Sequence, residues 1–135
     1  MMLRRDFLQA EIQKLAEVLA RIMGLKKDGK YLEAEKLTKE TIGEAFGFDF
    51  QHLPDLPEPE FEKQILAQDL PAEKLDQLAR FMFEAVHPFE DNEQTKSILR
   101  KVLVIFSILE REFHRQSLEN LNRQVRIKKF LIQDA

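Results

Sequence analysis

The chain has no cysteine and no tryptophan, a single tyrosine, and only four glycines and five prolines in 135 residues. Without cysteine there is no disulfide, no thiolate metal site and no thiol nucleophile, so the fold must be held by packing. No glycine-rich phosphate loop is present, and no serine sits in a nucleophile elbow. Long hydrophobic runs are missing as well. The longest candidate, Val102 to Leu109, covers about two helical turns behind Arg100-Lys101 and is too short to cross a bilayer. Asp6, Glu11 and Lys14 interrupt the N-terminal segment where a signal peptide needs a continuous apolar stretch. The expectation is a cytoplasmic protein that does not enter a membrane.

What is present is the material of a helical domain. Hydrophobic residues make up 44% and charged residues 33% of the chain, which suits a globular, helix-rich protein. A chain of this size buries about two-thirds of its unfolded surface, enough for one real core. The net charge of −3 conceals segregation: residues 1–31 carry +3, residues 32–76 carry −8, and residues 111–135 carry +3. Basic ends around an acidic middle can pack against it or steer a charged partner, although solvated helix faces are the simpler explanation of such blocks.

Periodicity predicts the elements. Leu8, Ile12, Leu15, Leu19 and Ile22 recur at spacings of four and three, marking a helix from about Asp6 to Lys26. Lys27-Asp28-Gly29-Lys30 breaks it, with Gly29 placed for a left-handed end, and a second helix is expected from about Lys30 to Phe46. The principal loop, about residues 47–59, carries three prolines in six residues. Its Phe48, Phe50, Leu53 and Leu56 are unusual for a solvated linker; they either cover core or form a partner-docking segment. A short helix follows from about Glu60 to Gln68 with Phe61, Ile65 and Leu66 inward. Asp69 is the expected cap of the next helix, whose stripe is Leu75, Leu78, Ala79, Met82 and Val86. His87-Pro88 stops that helix, and Asp91 is the expected cap of the fifth. The fifth helix is apolar nearly all round between Ile98 and Leu109 and belongs at the centre. Ser117 is placed to cap a last helix with Leu118, Leu121, Val125 and Ile127 inward, unless residues 91–133 form one continuous helix. The fold class is therefore all-α: a single-domain bundle of about six helices in antiparallel hairpins over residues 1–135.

Gly29-Lys30-Tyr31-Leu32-Glu33-Ala34 resembles the turn and second-helix start of a tetratricopeptide repeat, where glycine, an aromatic and a small alanine let paired helices approach closely. Thr38 and Thr41 depart from that register, and no 34-residue copy follows. The longer pattern of Arg5-Asp6-Phe7-Leu8, Ile12, Leu15-Ala16, Val18-Leu19, Ile22, Leu25-Lys26-Lys27 and Gly29-x-Tyr31-x-x-Ala34 resembles a family of small bacterial helical proteins without an established activity. That resemblance spans mainly residues 4–37 and implies a fold rather than a function.

His87-Pro88-Phe89-Glu90-Asp91-Asn92-Glu93 resembles the opening of the Fic-type nucleotidyl transferase motif. In that family the histidine is a base, an acidic residue holds a metal, and Gly-Asn-Gly-Arg opens a phosphate-binding helix. Here both glycines are absent and Glu93 stands where phosphate needs bare amides. Glu84-x-x-His87 has the spacing of a di-iron ligand pair but lacks a second pair, and Glu110 with His114 would need further ligands to hold zinc. No catalytic, cofactor or metal residue is assigned. Arg111, Arg115, Arg123, Arg126, Lys128 and Lys129 could form a phosphate-binding strip, yet the pI of 5.7 argues against a dedicated nucleic-acid binder. The reading is a non-enzymatic module for protein contacts or for self-association as a homodimer. Its candidate contact residues are Phe48, Phe50, Leu53 and Leu56 in the loop and Arg123, Arg126 and Lys129 in the last helix.

Overall fold

The computed structural model describes residues 2–133, with side chains from Asp6 onward; Arg4 and Arg5 of the N-terminal motif lie outside the described side chains. Six helices follow in order: α1 Met2–Lys27, α2 Tyr31–Phe46, α3 Glu58–Gln68, α4 Ala72–Val86, α5 Glu93–Phe113 and α6 Leu118–Ile132. A 3-10 turn at Leu53–Asp55 interrupts the long loop, and the described residues contain no strand.

The first hairpin closes as its turn chemistry requires. Gly29 adopts φ of 78°, its N–H donates to Lys26 O at 3.0 Å, and Lys30 N–H donates to Leu25 O at 2.8 Å. These two bonds satisfy carbonyls that α1 would otherwise leave open at its end, and a side chain at position 29 would be strained at that φ. Three residues thus suffice to reverse the chain and lay α2 on α1. Ala34, wholly buried four residues into α2, leaves room for the approach.

One cluster of buried side chains runs through the molecule, from Leu15, Leu19 and Ile22 of α1 through Phe61 of α3 and Phe81 of α4 to Ile127 of α6. α5 lies at its centre, packed extensively on α4 and touching α3, α6 and the 3-10 turn. Seven of its apolar side chains are buried, while Leu103 and Val104 are half-buried. The expected inward stripes of α1 and α4 hold, with Leu8, Ile12 and Val86 only half-buried near the ends.

Three local expectations change, and one open alternative closes as Ser117 suggested. Asp69 does not cap α4; it ends α3 in a left-handed conformation with φ of 50°, and Pro71 precedes α4 without a side-chain cap. Asn92 rather than Asp91 caps α5, accepting from Thr95 N–H at 2.8 Å, while Asp91 pairs with Lys96 at 3.1 Å. Leu66 points outward because Phe61 and Ile65 already define the inner face of α3. Residues 91–133 form two helices: His114 turns left-handed at φ of 50°, and Ser117 caps α6 by accepting from Asn120 N–H at 3.1 Å.

Candidate functional site

The long loop is held by its own apolar residues. Phe48 and Leu53 are buried in the core, with the Phe48 ring 5.3 Å from that of Phe61, and Phe50 and Leu56 pack half-buried against it. Phe48 and Leu53 are therefore out of a partner's reach. At the surface of the loop, Asp49 accepts from the His52 ring at 2.7 Å and from Gln51 N–H at 3.1 Å, and these bonds hold its carboxyl below the usual value.

Beneath the loop sits a buried lysine that periodicity did not reveal. Lys101 is 1% exposed on α5, donates to Ser97 Oγ at 2.8 Å, and Ser97 in turn donates to Pro54 O at 2.6 Å. The relay ties the 3-10 turn to α5, and burial pushes the Lys101 ammonium below its ordinary value despite the opposing charge of Glu58. Its spacing of four from Ser97 was visible in the sequence, but not its depth.

A second node joins three elements at the end of α4. Lys26, on the last turn of α1, donates to the Glu84 and His87 carbonyls and pairs with the Glu84 carboxylate at 3.1 Å. A cation placed there also complements the negative end of the α4 dipole. His87 precedes Pro88 across a cis peptide bond. Its ring stacks on Phe83 at 5.6 Å and meets the edge of Phe89 at 5.5 Å, while Arg126 of α6 donates to Nε2 at 2.8 Å. Because a guanidinium only donates, His87 accepts here, carrying its proton on Nδ1. Burial, with the Arg126 and Lys26 charges, outweighs Glu84 and lowers the His87 pKa below 6.5.

Glu84 and His87 are thus engaged with different partners rather than converging as ligands. His114 sits past the end of α5, off the helical face that would bring it to Glu110. Among the described residues, no group of three or more His, Asp or Glu side chains is placed to hold a metal. A cleft of about 470 Å³ adjoins the His87 node, and three of its polar side chains are already paired: Lys26 on α4, Glu35 on Lys39 at 2.6 Å, and Asn92 on Thr95.

α6 rests on α5 and reaches α4 through a polar seam of side chains. Asn120 donates to Asp76 at 2.6 Å, Arg80 reaches Glu119 at 3.3 Å, and Arg123 donates to Asn120 at 3.0 Å. The Arg123 and Arg126 guanidinium groups stand 5.9 Å and 5.4 Å from the centre of the Phe83 ring. Burial and the Arg80 charge push the Arg123 pKa down. The Arg80 Nε atom is buried without a hydrogen-bond partner.

This seam reverses the expected orientation of α6. Asn120, Arg123, Ile127, Phe130 and Leu131 occupy its inner side, fully or half-buried. Only Ile127 of the predicted stripe is in the core; Leu118, Leu121 and Val125 are 75%, 38% and 64% exposed, and Ile132 joins them at 70%. At 100° per residue these four fall within a narrow sector of the outer face, with Lys128 on one side and Lys129 on the other. The basic residues do not form one strip. Arg111 binds Glu62 and Glu112 at 3.2 Å each, Arg123 and Arg126 turn to α4, and Lys129 faces outward. The signal that sequence reading missed was the partner set on α4 and just past it: Asp76, Arg80 and His87 lie on the side that receives polar residues.

No family model, curated protein or solved structure matches this chain. No helix is long and apolar enough to cross a membrane among the described residues.

Proposed function

We propose that the protein is a non-enzymatic helical contact module whose partner-binding surface is the outward face of α6. The observation carrying this reading is that Leu118, Leu121, Val125 and Ile132 share an exposed face while the same helix turns Asn120 and Arg123 inward. A helix with apolar residues at these spacings docks into a groove on a partner, and exposing them without one gains nothing for the fold. The close α1–α2 hairpin, with Gly29 at its turn and Ala34 buried beside it, supports a tetratricopeptide-like description of that pair.

The test is affinity purification of the tagged chain from its native cells, beside the Leu118→Glu/Val125→Glu double variant, read by mass spectrometry. Proteins recovered with the wild type and lost with the variant support the reading. Identical recovery by the two baits, or nothing above an unrelated helical control, overturns it.

A further inference from the structure

The geometry points to a second copy of this chain as the occupant of the α6 face, seated head-to-tail in a groove between α3 and α5. This rests on the reading of α6 above and names its partner. The groove, about 200 Å³, is mouthed by Leu66, Leu70 and Phe113, floored by Ile108 and edged by Asp69 and Glu112. Leu66 and Phe113 are 48% and 42% exposed there, although they are large apolar side chains. One molecule therefore carries an apolar stripe edged by lysines and an apolar groove edged by carboxylates. Lysines flank the stripe and carboxylates flank the groove, so seating Val125 over Leu66 would bring unlike charges together at the edges of the contact. Glu112 already shares Arg111 with Glu62, at 3.2 Å each, so a lysine would join that cluster, where one guanidinium faces two carboxylates, and would meet Asp69 at the other edge.

The alternative symmetric pairing, α6 against α6, sets four lysines along one seam and matches no acid to them. Within a single molecule the contact cannot form: α6 is joined to Phe113 by only residues 114–117, and its inner side is already fixed on α4. Stripe and groove are different surfaces, so the association is heterologous; it extends beyond a dimer until a ring closes.

Sedimentation velocity over a concentration series, at low and high salt, tests this. The wild type should grow past dimer with concentration and shrink as salt screens the lysine–carboxylate pairs. Val125→Glu and Leu66→Glu should each remain monomeric with unchanged helical circular dichroism; both positions are exposed, and Val125→Ser and Leu66→Ser serve as milder substitutes if either glutamate disturbs the fold. An equimolar mixture of the two variants should form a 1:1 dimer and stop there, because one intact stripe meets one intact groove. A dimer that survives Leu66→Glu but not Val125→Glu means symmetric α6 pairing and overturns the groove. Failure of the mixture to rescue overturns it too. A wild type monomeric throughout, whose other partners are still lost with Leu118→Glu/Val125→Glu, overturns the second-copy proposal and leaves the α6 contact reading standing.

Discussion

The two flanks of α4 are made of different materials. Toward α2 and α5 it offers Leu78, Ala79, Phe81 and Met82, all fully buried, with the Phe81 ring 6.2 Å from that of Phe46. Toward α6 it offers Asp76 and Arg80, with His87 just past its end, and these reach their partners through directional bonds. Apolar contact is non-directional and stabilises in proportion to area, whereas a polar contact returns little net stability but specifies one pairing. The dry flank accordingly secures the fold, and the wet flank fixes the rotation of α6, which is why four apolar side chains end up facing solvent.

The largest test of this contrast is Phe81→Ala, which should destabilise by about 3–5 kcal/mol through lost contacts and a residual cavity. A urea midpoint barely changed would mean that the dry flank does not carry the fold. On the wet flank, Asn120→Ala should cost about 1–2 kcal/mol by leaving Asp76 half-buried without its donor. Asp76→Leu combined with Asn120→Leu should recover most of that, as apolar replacements of both partners often do. If the double variant is the worse of the two, the pair contributes stability and not only orientation.

Smaller still is a pH effect at His87. Its folded pKa lies below the ordinary 6.5, so as pH falls below 6.5 the unfolded chain takes up the proton first and stability declines. The slope from this one group cannot exceed about 1.4 kcal/mol per pH unit. Between pH 7.5 and 5.5, His87→Asn should flatten the decline seen in the wild type, and equal slopes would remove His87 as its source. The smallest expected effect is that of Val125→Glu on folding, within about 0.5 kcal/mol, since the side chain touches mainly water. A large loss would place Val125 in packing rather than on the contact face.

Features encoded within a few residues were legible before the structure. Gly29 named the hairpin turn, Ser117 named the start of α6, and the three-four spacing of Leu15, Leu19 and Ile22 named the buried side of α1. Features that depend on distant partners were not. Apolar periodicity turned Leu118 and Val125 inward, whereas Asp76, 44 residues before Asn120 in the chain, draws the other face of the helix onto α4. The depth of Lys101 likewise depends on the loop that folds over it from Pro54, and the outward turn of Leu66 on Phe61 and Ile65 having filled the space inside. Of the candidate contact residues, the loop phenylalanines read first as cover and second as bait, and tertiary structure separates the two.

The polar seam also bears on the order in which the molecule is made. α6 leaves the ribosome after the five helices that precede it, so the side of α4 it will occupy is bare while those helices gather around α5. A greasy strip left waiting there would invite the nascent chain to stick to its neighbours. Asp76 and Arg80 can instead remain hydrated until α6 arrives.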